Sequence, residues 1–244
     1  MRRITFLDCP MHPITMTDTV TAITSAIDNG VFTQHVVVNV AKLVNMRTDS
    51  LLKESIEQCD IINIDGMGVV VGARFLGHNI PERVAGIDLF HALLKMSAQR
   101  GHAIYLLGAE QEVLVKTERK VKELYPSLNV AGSHNGYFWD DEESVVSDIK
   151  ASGAKLLFVA ITSPKKENFI NRWRDQLGVN FVMGVGGTFD VVAGKVSRAP
   201  KWMQDSGLEW LYRVIQEPRR MWKRYLKTNL LFAWLLLKEK LSIR

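Results

Sequence analysis

Four segments in this chain pair a short apolar run with glycines and a polar residue, a combination suited to chemistry on a bound anion or hydroxyl. The first is NIDGMGVV (63–70), where Asp65 ends the run and Gly66 and Gly68 allow a tight turn into a helix. A carboxylate there can accept a proton from an attacking hydroxyl, and free N–H groups at the helix start can face an anion. The same aspartate also suits a helix N-cap. The second is LLGAEQE (106–112), in which Gly108 either approaches a phosphate or ribose or simply turns the chain. In the third, VAITSPKKENF (159–169), Lys165 and Lys166 fall in the first turn of a helix. The helix dipole disfavours cations there by a few tenths of a kcal/mol to about 1 kcal/mol, which a bound anion would offset and solvation would reduce. The fourth is MGVGGTFDVVAGK (183–195), where Gly184, Gly186 and Gly187 leave little side-chain bulk beside a ligand.

None of the four is a G-x-G-x-x-G or a Walker A sequence, so the dinucleotide and P-loop fingerprints are missing. Metal and covalent chemistry also lack their patterns. Asp140, Asp141, Glu142 and Glu143 resemble the acidic first turn of a helix more than a magnesium site. The six histidines show no H-x-x-x-H spacing for zinc, and no G-x-S-x-G elbow occurs. Cys9 and Cys59 are too few for a disulfide framework or a four-thiolate zinc site, which fits a reduced cytosolic setting. No metal and no cofactor is expected.

The elements that must position these loops alternate along the chain. Apolar runs at 36–40, 61–64, 103–107, 128–131, 156–161 and 181–185 read as strands. Helical patterns near 42–57, 67–76, 87–99, 111–124, 141–151 and 165–176 separate them. Continuous apolar strands joined through helices predict an α/β, Rossmann-like parallel sheet covered on both faces, with ligands beyond the carboxyl ends of its strands. The alternation stops near residue 197. The division expected is therefore an α/β body, 1–197, and a helical appendage, 198–244. Pro218 splits the appendage into helices over roughly 206–216 and 218–240, since proline suits a first helical turn. On the second, Arg220, Arg224 and Lys227 share one face while Trp222, Leu226, Leu230 and Ala233 line another.

Charge separates the two parts as well. The 244 residues carry a net +5, yet 198–244 holds eleven Lys and Arg against four acids, leaving the body slightly negative. Four of the six tryptophans, Trp202, Trp210, Trp222 and Trp234, lie in that cationic segment. Basic residues interleaved with aromatics suit an anionic surface. The apolar run LLFAWLLL (230–237) is too short to span a bilayer but long enough to enter its interface, which favours a membrane surface over nucleic acid. The amino-terminal segment has no apolar run of signal-peptide length. The expected location is cytoplasmic, peripheral on the inner face of the membrane.

Six stretches together resemble the WecG/TagA/CpsF family of bacterial glycosyltransferases, glycosyltransferase family 26. They are DGMGVVVGARFLG (65–77), ERVAGIDLF (82–90), NGYF (135–138), SPKKE (163–167), GVGGTFDVVAGKVSRAPKW (184–202) and GLEWLYRVIQEPRR (207–220), in family order. The resemblance implies metal-independent, inverting transfer of a sugar from a UDP-sugar to a polyprenyl-pyrophosphate-linked sugar. It implies Asp65 as general base, Asn39 and Arg83 in the sugar pocket, and Arg213, Arg220 and Arg224 as appendage residues that grip pyrophosphate. Lys166, Gly108, Gly186 and Gly187 complete the expected substrate-binding set. Such enzymes build exopolysaccharide, enterobacterial common antigen or teichoic acid-type polymers, and the resemblance also implies self-association.

Two departures bear on the substrate. Lys166 stands where the family pattern commonly has glutamine, and Val37 where many relatives have threonine. A lysine supplies a point charge and no acceptor, so a donor or acceptor substrate with extra negative charge, such as a uronic acid, is expected near it. The alternative reading is a catalytically degenerate nucleotide-sugar-binding or scaffolding protein, against which the retained Asp65, Arg83 and glycine loop speak.

Overall fold

The computed structural model describes residues 2–242, apart from the side chains of Arg220 and Arg224. The chain opens with a small antiparallel hairpin, β1 (Ile4–Phe6) and β2 (Cys9–Met11), followed by α1 (Met16–Asp28). Neither appears in the sequence pattern above. The hairpin strands have three residues each, and their turn is made by Leu7 and Asp8 at positive φ rather than by glycine. The next segment holds β3 (Thr33–Val38), α2 (Val40–Asn45), α3 (Ser50–Glu57) and β4 (Ile61–Ile64). The single helix expected over 42–57 is thus two, because Asp49 leaves the helix and caps α3 by accepting from Leu52 N at 2.9 Å.

There follow α4 (Met67–Phe75), α5 (Gly86–Arg100), β5 (Ile104–Gly108), α6 (Gln111–Leu124), β6 (Val130–His134) and α7 (Glu142–Ala151). Then come β7 (Leu156–Ala160), α8 (Lys165–Trp173), β8 (Phe181–Gly184) and α9 (Thr188–Val192). The chain ends with α10 (Lys201–Asp205), α11 (Glu209–Gln216) and α12 (Pro218–Ser242). Strands β3 to β8 form one parallel sheet in the order β4-β3-β8-β7-β5-β6, the Rossmann-like body expected from the sequence.

Side chains alternate across this sheet, as a period of two requires. Ile104 and Leu106 of β5, Leu156 and Phe158 of β7, and Phe181 and Met183 of β8 meet α1, α5 and α6 on one face. Tyr105, Leu107, Leu157, Val159 and Val182 meet α7 and α8 on the other. At the β3–β4 end, Val36, Val38, Ile62 and Ile64 pack with α2, α3, α4, the hairpin and Phe232 and Leu235 of α12. One polar chain crosses this core. Asn63 Oδ1 accepts from His35 Nε2 at 2.8 Å, and its amide nitrogen donates to Thr19 Oγ1 at 3.1 Å, tying α1 to the sheet. Burial pushes His35 down to about 4, so it stays neutral in this bond.

The strand order produces the crevice that positions a site. From β3 the chain moves outward to β4, whereas β7 leads to β8 on the other flank of β3. The connections leaving neighbouring strands therefore diverge, the arrangement that in open α/β sheets places the ligand crevice at the carboxyl edge, here beside the loops after β3, β4 and β8.

Candidate active site

Asp65 follows directly on β4, its backbone N–H bonded to Val38 O at 2.9 Å. It does not cap α4. Gly66, at φ 96°, is the N-cap, and a Cβ there would lie 3.9 Å from Asn39 Cβ. The Asp65 carboxylate instead turns toward the start of α5, with a long 3.5 Å contact from Gly86 N to Oδ2. The segment between α4 and α5 folds back so that Val84 N bonds Ile64 O at 2.9 Å, which brings Arg83 beside the end of β4. Asn39 caps α2, its Oδ1 accepting from Lys42 N at 3.0 Å. Thus Asn39, Asp65 and Arg83 converge, although 44 positions separate the first from the last.

Burial raises the Asp65 carboxyl above the usual carboxylate range. The Arg83 guanidinium and the Gly86 N–H oppose that shift, Glu209 adds to it, and Arg213 opposes it. A carboxylate of raised proton affinity is a stronger base near neutral pH than an exposed one. Arg213 is exposed on α11. The side chains of Arg220 and Arg224 lie outside the described residues.

Three residues that sequence reasoning passed over complete this end of the crevice. Glu209, the first residue of α11, accepts from Arg83 Nη1 at 2.5 Å. Arg198 is clamped on Asp88, in the first turn of α5, by two bonds of 2.6 and 2.8 Å. Despite the cost of burial, this clamp holds the Asp88 carboxyl below the usual carboxylate range. All three fall in the segments quoted above for the family resemblance, but their pairing spans up to 126 positions, and spacing does not reveal it.

The glycine loops gather farther along the same edge. Gly108, at φ 117°, meets the next strand so closely that a Cβ would lie 2.4 Å from Ala160 O, so only glycine fits. Gly136 packs on Ala109, and beside it Tyr137 stands exposed. Gly186 has φ 53°, and Gly187 caps α9. Lys195 links this group, bonding Glu110 at 2.8 Å and lying 3.9 Å from Asp190.

Lys166 occupies a different setting from the one its position in a helix's first turn suggests. Its side chain is buried, its stem packs against Gly184, and its ammonium lies 2.7 Å from Glu167 Oε1. Lys42 reaches the same oxygen at 3.0 Å and donates to Val37 O at 2.6 Å. Burial would raise Glu167, but the two ammonium groups hold it down to about 2. Glu167, from the same helical turn, therefore supplies the anion that offsets the dipole penalty. Lys165 stays outside, its Nζ 4.8 Å from the Trp139 ring centroid.

Cys59 is buried and donates to Ser55 O, with burial pushing its thiol up to about 12, far from a reactive thiolate. Among the described residues no three His, Cys, Asp or Glu are grouped as metal ligands.

A doubly wound parallel sheet that gathers Asp65, Arg83 and a glycine-lined edge at the carboxyl ends of its strands has its polar groups where open α/β folds bind ligands. The Glycosyl transferase WecG/TagA/CpsF family model matches residues 4–244. The chain belongs to this family and is a glycosyltransferase, which implies a nucleotide-sugar donor and a sugar acceptor in cell-envelope polymer biosynthesis.

Proposed function

We propose that this enzyme transfers a sugar, with inversion and without a metal, from a UDP-sugar to a polyprenyl-pyrophosphate-linked sugar at the inner surface of the bacterial membrane. The observation that carries this reading is Asp65, a carboxylate of raised proton affinity beside Arg83 at the end of β4. In the step proposed, Asp65 takes the proton of the acceptor hydroxyl as its oxygen bonds to the anomeric carbon. The bond from that carbon to the UDP oxygen breaks, and its electron pair leaves with UDP. Charge grows on the diphosphate, where Arg83, Arg213, Arg220 and Arg224 can stabilise it. Asn39 is assigned to the sugar, and the loops at Gly108, Gly186 and Gly187 to the nucleotide. The exposed Tyr137 ring beside Gly136 suits base stacking.

Residues 198–244 are assigned to the membrane and the acceptor. Among the described residues no helix is long and apolar enough to cross a membrane. Surface attachment is supported by α12, which carries two apolar stripes rather than one. Phe232 and Leu235 pack into the body and Met221 is buried, while Trp222, Leu226, Leu230, Trp234, Leu237 and Leu241 are exposed. Lys223 and Lys238 lie 5.7 and 5.4 Å from the Trp222 and Trp234 rings, so cations flank the outward stripe. Aromatic rings with flanking lysines suit the headgroup layer of an anionic membrane.

The test is UDP release across a panel of UDP-sugars, with a prenyl-pyrophosphate-linked sugar as acceptor in detergent. Acceptor-dependent release should fall at least about 100-fold in Asp65→Asn, as expected for loss of a general base. Release that persists in the variant would remove Asp65 from that role.

A further inference from the structure

The contact between Glu209 and Arg83 joins the appendage to the body at the mouth of the site. Glu209 Oε2 accepts a hydrogen bond from Arg83 Nη1 at 2.5 Å, and Oε1 lies 3.6 Å from Arg198 Nε. Arg198 spends its two terminal nitrogens on Asp88, so its Nε edge is the part turned toward Glu209. A carboxylate held between two guanidinium groups occupies the arrangement that a phosphate oxygen pair also takes. The two ions of the Arg83–Glu209 pair keep 15% and 23% of their side-chain exposure, so they sit at an opening and not in the core.

Charge balance makes the two anions exclusive. Around the end of β4 stand Asp65, Asp88 and Glu209, matched by Arg83, Arg198 and Arg213. A phosphate added to this set with Glu209 in place would meet three carboxylates. With Glu209 withdrawn, the phosphate replaces it on Arg83, and no half-buried guanidinium is left without an anion. The helix that bears Glu209 can give way, since α11 has no buried residue of its own. It follows Gly207, which packs on Met67 at the start of α4 and has the positive φ of 74° that favours glycine.

We infer that Glu209 is a specificity-determining residue that competes with a substrate phosphate for Arg83 and Arg198, so that binding exchanges one anion for another and frees the first turn of α11 from the body, while Arg213, one turn on, stays with the phosphate. This rests on the proposal that a phosphorylated substrate binds beside Asp65. Only an anion able to replace a carboxylate on Arg83 then gains full entry, and its arrival is signalled to the appendage.

Calorimetric titration of the full chain and of Glu209→Gln, with UDP and separately with inorganic pyrophosphate, tests the competition. Amide hydrogen exchange over 209–216 reports on α11. The glutamine variant should bind UDP roughly tenfold more tightly, because a neutral amide yields the guanidinium pair to the incoming anion. UDP added to the wild type should speed exchange over 209–216. Glu209→Asp, one methylene shorter, should fall between the two. Equal or weaker binding by Glu209→Gln, no binding of either probe to it, or slower exchange over 209–216 on adding UDP would each overturn the inference. Tighter pyrophosphate binding without sugar transfer from any UDP-sugar would uphold the competition and count against the proposed donor. Transfer with unaltered affinity would do the reverse.

Discussion

Two ion clusters flank the crevice, and each sets a glutamate between two cations. In Lys42–Glu167–Lys166 every side chain is 8% exposed or less, whereas the Arg83–Glu209–Arg198–Asp88 chain ranges from 15% to 45%. The first bridges α2 and α8 within the body, and the second bridges the body and α11. Burial makes the difference. A carboxylate without access to water has no alternative partner, so Glu167 fixes two helices, while Glu209 lies where another anion can reach its cations. A fixed cluster thus backs the site and an exchangeable one guards its entrance.

The sharpest way to break this contrast is to neutralise each glutamate in turn. Glu167→Gln leaves two buried ammonium groups without their anion and should cost about 3–5 kcal/mol, read from urea unfolding. Glu209→Gln, at the surface, should cost about 1 kcal/mol or less. Equal losses would mean that both clusters are structural. Acid should expose the same difference. The Glu167 carboxyl is held at about 2 against an ordinary 4.5, so the stability it contributes is complete above pH 4.5 and drains away as pH falls toward 2. Glu167→Gln should lack that part of the acid transition.

The stripes of α12 offer a second pair of variants. Phe232 is buried against Phe6 and beside Gly72, so Phe232→Ala should cost about 3–5 kcal/mol of stability. Leu230 is 63% exposed, and Leu230→Glu should leave the melting temperature within a few degrees of wild type. It should nevertheless reduce flotation with anionic liposomes about tenfold or more, since it sets a charge in the outward stripe. Unchanged flotation would take the membrane away from that face. The sequence alone singled out Trp222, Leu226, Leu230 and Ala233 as the apolar side of this helix, and all four point outward. The stripe that packs inward was hidden, because both sides of the helix are apolar and periodicity does not say which one meets a core.

What was legible elsewhere follows the same physics. Five strands of the large sheet stood out, because a buried parallel strand is a continuous apolar run, whereas the edge strand β6 (VAGSH), partly exposed throughout, shares only Val130 and Ala131 with the run at 128–131. Helix α1 did not, since threonines dilute its apolar spacing, although Thr15 and Asp18 form a reciprocal capping box that marks its start. Asp65, Arg83 and the glycines were visible because their motifs are local. The partners of Arg83 and Arg198 were not, because an ion pair across the fold leaves no spacing in the chain. For Lys166 the residue type suggested a ligand, and its neighbours in space turned out to be Glu167 and the Gly184 backbone.

That placement reshapes the expectation about the donor. Lys166→Gln restores the amide usual in the family and leaves the Lys42–Glu167 pair, at 3.0 Å, in place. If the buried cation acts on the sugar through the field at the end of β8, wild type should favour UDP-glucuronate over UDP-glucose. The variant should reduce that preference several-fold, measured as kcat/KM for each donor. An identical ratio in both proteins would confine Lys166 to helix packing.

The smallest expected effect separates the charges around Asp65 by sign. If Asp65 is the base, transfer rises with pH as its carboxyl loses its proton, so the acid limb of kcat/KM follows that group. Glu209 makes the proton harder to lose, and Arg213 makes it easier. Glu209→Gln should therefore move the limb to lower pH and Arg213→Gln should move it to higher pH, each by less than about one unit for partly solvated neighbours. Both variants disturb the same helix, α11, so a purely mechanical role would move the two profiles together or only scale their height. Displacements in opposite directions require that Glu209 and Arg213 act on Asp65 through charge, and shifts in one direction would exclude it.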